Sequence, residues 1–186
     1  MLLFVGLGNP TPNSENNRHN VGFKIIDSIN KRFSLSKQKP KFKGLLTTGN
    51  IDGEKIYAIK PLTFMNNSGI CIRELLEYFK IDAENVIVFH DDLDLEFGRI
   101  KAKFGGSSAG HNGIASIDKF IGNDYSRVRI GIGKPKSKIE VSDFVLQNFD
   151  EDEILSINKI SENISDSISI LIKRNLDLFS STVNNK

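Results

Sequence analysis

Tryptophan is absent from the 186 residues, cysteine occurs once, and tyrosine and histidine occur three times each. Each scarcity excludes something. Without Trp and with so few Tyr, a surface that grips nucleic acid by stacking successive bases on aromatic rings is not supported. The one cysteine, Cys71, has no partner for an internal disulfide. That fits a reducing compartment, and its helix-like apolar stretch reads as core rather than nucleophile. No run approaches the roughly 20 apolar residues of a membrane span. The opening stretch Met1–Gly8 has neither a basic leader nor an apolar run long enough for a secretory signal. A cytoplasmic protein with no membrane partner is expected. No G-x-S-x-G elbow is present, and Gly105–Gly110, though rich in glycine and serine, lacks the lysine and spacing of a P-loop. Gly6-Leu7-Gly8 opens like a dinucleotide fingerprint, but Thr11 stands where the third glycine belongs and Pro10 interrupts the turn.

What is present is the composition of an ordinary globular protein, 39% hydrophobic and 26% charged. The net charge of +2 hides an asymmetry. Residues 1–139 hold 21 Lys and Arg against 14 Asp and Glu, and residues 140–186 hold 4 against 9. A basic body is compatible with a polyanionic partner. Strands are expected at about 2–8, 42–50, 55–60, 85–89, 99–104 and 127–132, with Asp52-Gly53 as a hairpin turn. Helical spacing of apolar residues marks 20–33, a helix after Asn66-Asn67 and another over 111–121. Ile154, Ile157, Ile160, Ile164, Ile168 and Leu171 trace one stripe of a long C-terminal amphipathic helix, at about 150–178. The chain is therefore expected to form a single α/β domain over residues 1–186, a twisted mixed β-sheet flanked by helices.

The three histidines fall in three short polar segments: Arg18-His19-Asn20, His90-Asp91-Asp92-Leu93-Asp94 and Gly110-His111-Asn112-Gly113. His19 precedes an amphipathic helix, whose dipole disfavours an imidazolium. A carboxylate on one ring nitrogen has the opposite effect and fixes the tautomer, leaving the other nitrogen free to take a proton. The acidic segment just past the strand 85–89 can supply that carboxylate. The same residues admit a rival, a metal-dependent phosphohydrolase built on His90, Asp92, Asp94 and His111, although no paired-ligand spacing supports it. A binding-only RNA protein is a further alternative, against which the combination of His19, Asn9, Asn66 and Asp91 speaks. Lys101, Lys103, Arg127, Arg129, Lys134, Lys136 and Lys138 lie on neighbouring segments and suit contact with the phosphates of a structured RNA.

Gly6-Leu7-Gly8-Asn9-Pro10, Arg18-His19-Asn20-Val21-Gly22, Thr63-Phe64-Met65-Asn66-Asn67-Ser68-Gly69, His90-Asp91-Asp92-Leu93-Asp94, Gly110-His111-Asn112-Gly113 and Arg129-Ile130-Gly131-Ile132-Gly133 occur in this order across about residues 1–150. Together they resemble bacterial-type peptidyl-tRNA hydrolase. The resemblance implies a monomeric esterase, independent of metal and without cofactor, that frees tRNA from prematurely released peptidyl-tRNA. It implies His19 as general base, Asp91 as its orienting carboxylate, and Asn9 as the residue that helps distinguish blocked peptidyl from free aminoacyl groups. It places Phe64, Met65, Asn66, His111 and Asn112 along the cleft for the peptide and the tRNA 3′ end. Lys103 and Arg129 take the clamp on the tRNA 5′-phosphate. Two departures stand out. Ser14 replaces a tyrosine associated with substrate contact, and Ala109 stands where glycine is usual.

Overall fold

Apolar runs bounded by glycine, proline or asparagine become strands, and the helical stripes cover them on both sides. The computed structural model describes residues 1–186. In chain order the elements are β1 (Leu2–Gly6), α1 (Val21–Arg32), β2 (Lys39–Lys41), β3 (Gly44–Ile51), β4 (Glu54–Pro61), α2 (Ser68–Phe79), β5 (Val86–Asp92), β6 (Ile100–Phe104), α3 (Asn112–Ile121), β7 (Ser126–Gly131), α4 (Val141–Val145), α5 (Glu151–Asp166), α6 (Ile168–Ile172) and α7 (Leu176–Asn184). One seven-stranded sheet runs β2-β3-β4-β1-β5-β7-β6. The β4, β1, β5 and β7 pairs are parallel, and β2-β3, β3-β4 and β6-β7 are antiparallel.

The central parallel strands are buried on both faces, so their sequences are continuous apolar runs rather than alternating ones. Alternation along β1 sends Leu2 and Phe4 into a core shared with α1, α5, α6 and α7, where Ile25, Ile29, Ile157 and Ile164 are fully buried. Leu3 and Val5 face the opposite core, against Cys71, Ile72 and Leu75 of α2 and Ile114 and Ile117 of α3. From β1 the chain crosses to β2-β3-β4 on one side, then returns to β5 on the other side of β1. That reversal opens a crevice at the carboxyl ends of β1 and β5, where open α/β sheets take their ligands. Gly22 lets α1 approach it: a Cβ there would lie 2.4 Å from both Leu7 N and Phe89 O.

Neither sheet edge invites another strand. β2 is three exposed residues, Lys-Pro-Lys, too short and too charged to recruit another strand. The outer side of β6 is sealed by α7, whose Ser180 Oγ accepts from Ala102 N and whose Asn184 side chain bonds Ile100 N and O, at 2.8–2.9 Å.

The expected hairpin forms with Asp52 and Gly53 at φ 52° and 81°, the left-handed pair that an Asp-Gly turn supplies. The single C-terminal helix expected at about 150–178 is corrected. The segment is α5, α6 and the start of α7, broken at Ser167 and again at 173–175, where Arg174 takes φ 61°. Ile157, Ile164, Ile168 and Leu171 are buried as the stripe requires, because α6 resumes on the same side after the break. No glycine or proline marks either interruption. β2 and α4 were not expected, being too short to show a period. No helix is long and apolar enough to cross a membrane.

Candidate active site

β5 continues three residues past its apolar run, through His90 to Asp91 and Asp92. Phe89 and Asp91 share a face, so the carboxylate of Asp91 is carried to the crevice on the side where α1 begins. There a single 3-10 turn, Arg18–Asn20, leads into α1 and holds His19. His19 Nδ1 lies 2.9 and 3.0 Å from the two oxygens of Asp91. His111, at the N-cap of α3, reaches the same carboxylate from the other side, with Nε2 2.9 Å from Asp91 Oδ1. Asp91 is 2% exposed and His19 8%, so these contacts are made almost without water.

The partners fix the protons. His111 Nδ1 accepts backbone N–H bonds from Gly113 and Ile114 at 3.1 and 3.2 Å, so the proton of that ring sits on Nε2 and is donated to Asp91. Asp91 in turn accepts the Nδ1–H of His19, and His19 Nε2 keeps a free lone pair. Burial alone would push the Asp91 carboxyl up. Attraction to His111 and His19, with the hydrogen bonds they donate, more than reverses this and holds it well below the usual carboxylate range. His90 is different in kind. Burial first, then the His111 ring beside it, push it down to about 3. Its Nδ1 donates to Asp91 O at 2.8 Å and its Nε2 is buried without a partner. It is neutral and enclosed.

Asn9 leaves β1 at the same crevice and is framed on three sides. Its N donates to Asn20 Oδ1 and its O accepts from Asn20 Nδ2, both at 2.9 Å, while its Oδ1 accepts from Met65 N at 2.9 Å. The Nδ2 hydrogens of Asn9 are left free within the chain. Met65 N is presented by Phe64, which sits at φ 65° and ψ 158°, a region essentially reserved for glycine and costing about 1–3 kcal/mol. Phe64 is exposed and Met65 buried. Met65 packs on the start of α3, since a Cβ on Gly113 would lie 2.5 Å from its sulfur. Asn66 and Asn112 are exposed on the two turns that meet there. A groove of about 1030 Å³ begins at Asn9, Pro10 and Asn20 and follows α1 past Phe23 and Lys24 to the buried Lys60.

The basic residues divide. Antiparallel pairing sets Lys101 opposite Arg129 and Lys103 opposite Arg127 on one face of β6-β7. Burial and the neighbouring Arg129 and Arg127 charges push the Lys103 ammonium down, and Asp92 offsets only part of this. Arg129 is tied to Asp92 at 2.6 Å. Arg127 does not belong to the patch. It is 1% exposed and bonds Ser107 O, Gly106 O and Asp118 at 2.7–3.0 Å, stapling the Gly105–Gly110 loop. Within that loop Ala109 takes φ 48°, so the alanine costs about 1–2 kcal/mol relative to glycine. Ser14 is buried, with its hydroxyl bonded to that of Thr11, and faces inward.

The ligand-type atoms of His19, Asp91 and His111 lie within 4.8 Å of one another, the one such set that could hold a metal ion. An ion at about 2.0–2.2 Å from all three would have to part contacts that are 2.9 Å long, and His111 Nδ1 is committed to the helix. The rival metal set is corrected: Asp92 is paired with Arg129, Asp94 N turns back onto Asp92 Oδ1 at 2.8 Å, and His90 is sealed behind them. Two residues of the frame, Asn20 and the capping role of His111, were not expected. Their sequence signal was only their place beside Arg18-His19 and before Gly113.

Residues 3–186 match the family model described as peptidyl-tRNA hydrolase. The chain is 78% identical over 186 residues to the peptidyl-tRNA hydrolase of Pelagibacter ubique, covering 100% of both. It is 46% identical over 179 residues to that of Bartonella bacilliformis, covering 96% of this chain and 93% of the other. The fold superposes on the crystal structure of peptidyl-tRNA hydrolase from Acinetobacter baumannii with a TM-score of 0.91 at 33% identity, covering 99% of this chain and 94% of that one.

Proposed function

The chain belongs to the peptidyl-tRNA hydrolase family and hydrolyses peptidyl-tRNA, and from that premise we propose how its residues divide the work. His19 Nε2 takes a proton from water as the water oxygen attacks the ester carbonyl that joins the peptide to the terminal ribose. The carbonyl carbon then expels the ribose oxygen, which recovers the proton from the imidazolium, leaving a free peptide and tRNA. Asp91 fixes the tautomer and compensates the transient charge. General-base assistance of this kind is worth about 10²–10⁴-fold. An ester is a reactive enough acyl group for that and positioning to suffice. The observation that carries the reading is the bond from His19 Nδ1 to the buried, ionised Asp91, which leaves Nε2 unoccupied.

Asn9 supplies a free amide donor at the head of the groove and is taken as the handle for the blocked peptide group. Exposed Phe64, Asn66 and Asn112, with Met65 and His111 behind them, border the acyl and 3′-terminal site. Asn66 and Asn112 are assigned to orient the water or hold the developing oxyanion, where one donor is worth about 10²–10³-fold. Lys103 and Arg129 take the tRNA 5′-phosphate. Ser14, being turned inward, gives no support to a substrate contact. A cytoplasmic monomer completes the reading, supported by the unpaired Cys71, by a β2 edge too short and charged to recruit a strand, and by the α7 cover over β6.

The test is hydrolysis of N-acetyl-aminoacyl-tRNA beside free aminoacyl-tRNA, with chelator present. Cleavage of the blocked substrate alone, abolished in His19→Ala, is expected. Near wild-type turnover by His19→Ala removes the base assignment.

A further inference from the structure

Arg18 precedes the catalytic histidine, and none of its side-chain bonds is local. Its Nη1 donates to Gln147 O and Asn148 O at 3.3 and 2.8 Å, and its Nη2 donates to Glu153 Oε1 at 3.0 Å. The guanidinium also stacks over Phe144 and Phe149, 4.6 and 5.5 Å from their ring centres. Around it the two backbones pair. Arg18 N donates to Gln147 O, Phe149 N donates to Asn16 O, and Asn17 bridges Asn148. The side chain is 11% exposed. Its Nε is buried without an acceptor, a cost carried to keep the other two nitrogens on residues 147–153.

Glu153 is equally committed. The oxygen that accepts from Arg18 also accepts from Asp150 N, closing the capping box of α5, while Asp150 Oδ1 accepts from Glu153 N. Arg18 and His19 share one 3-10 turn, three residues with no slack, whose orientation sets the approach of the imidazole to Asp91.

Resting on the assignment of His19 as base, we propose that Arg18 is a positioning residue for His19 and that Glu153 is its anchor. The N-terminus of α5, more than 130 residues away in sequence, sets the angle at which the ring meets Asp91. The guanidinium is needed for this because it spans two carbonyls and a carboxylate in one plane; an ammonium is a compact charge whose donors radiate from one atom and cannot match that spread.

Arg18→Lys and Glu153→Ala are compared with Asp150→Ala, which weakens the same helix cap without touching Arg18. Each is assayed below its unfolding range for kcat and KM, and the His19 imidazole is followed by ¹⁵N NMR through the proton it shares with Asp91. Both Arg18→Lys and Glu153→Ala are expected to lower kcat about ten- to a hundredfold with little change in KM, as ångström-scale misplacement does, and to shift or broaden the imidazole signal. Asp150→Ala is expected to lower the thermal midpoint and leave kcat alone. Activity losses that follow stability equally in all three, an unmoved imidazole signal, or full activity in Arg18→Lys overturns the proposal. The NMR signal reads ring placement whether or not His19 is the base, so failure of the two assignments is separable.

Discussion

Asp91 Oδ1 accepts from His111 Nε2 at 2.9 Å, the same length as its bond from His19 Nδ1. One carboxylate oxygen thus serves two imidazoles, and only one of them retains a lone pair facing outward. His111→Ala removes the second restraint on the carboxylate together with the α3 cap. A fall in kcat of about tenfold is expected from looser placement of His19, with about 1 kcal/mol of stability lost with the cap. Steady-state kinetics and chemical denaturation of the same variant check both.

Asp91→Asn is expected to be nearly as damaging as His19→Ala. A carboxamide can turn its NH₂ toward His19 Nδ1, which moves the ring proton to Nε2 and abolishes the base. The comparable change in a serine-protease triad costs about 10⁴ in kcat. Single-turnover hydrolysis of N-acetyl-aminoacyl-tRNA measures the chemical step directly.

Acid should destabilise the fold earlier than carboxylates alone dictate. His90 is pushed from 6.5 down to about 3 in the folded chain, so the unfolded chain binds the proton first. Its contribution is complete above pH 6.5 and drains away as pH falls toward 3. Asp91, depressed by its two imidazoles, adds its own loss only below the ordinary carboxylate range. His90→Gln is expected to flatten stability between pH 6.5 and 4. An unchanged slope in urea unfolding across that window counts against the assignment.

The two arginines of β7 should separate cleanly. Lys103→Ala and Arg129→Ala are each expected to raise KM and to reduce the salt slope of tRNA binding by about one. Arg127→Met leaves two carbonyls of the loop without their donor and Asp118 with only the Tyr125 hydroxyl. It is expected to cost about 1–3 kcal/mol, the range for leaving buried acceptors unsatisfied, with little direct effect on that slope. Filter binding across a salt series, set beside thermal melts, distinguishes the two kinds of loss.

Much of this was legible in the residues because the chemistry and the strand ends coincide. Asn9 and Asp91 follow apolar runs, and the position of His19 before a helix follows from the stripe Val21, Ile25, Ile26 and Ile29. The hairpin was written in Asp52-Gly53. What escaped depends on direction and distance rather than type. Strand alternation places Arg127 beside Arg129, yet its long side chain folds under the loop to Asp118. The spacing from Ile154 to Leu171 is kept through Ser167, so the pattern gives no sign that the helix stops there. Arg18 carries no mark at all, because its partners lie at 147–153 and only the folded chain brings them near.

The pairing of α7 with β6 means that the sheet is not finished until Ser180 and Asn184 are in place. A chain cut short of residue 176 keeps every group proposed above to act in catalysis. It also bares a ready template for a neighbouring strand, and truncation should therefore show first as clumping of molecules that are still able to turn over substrate.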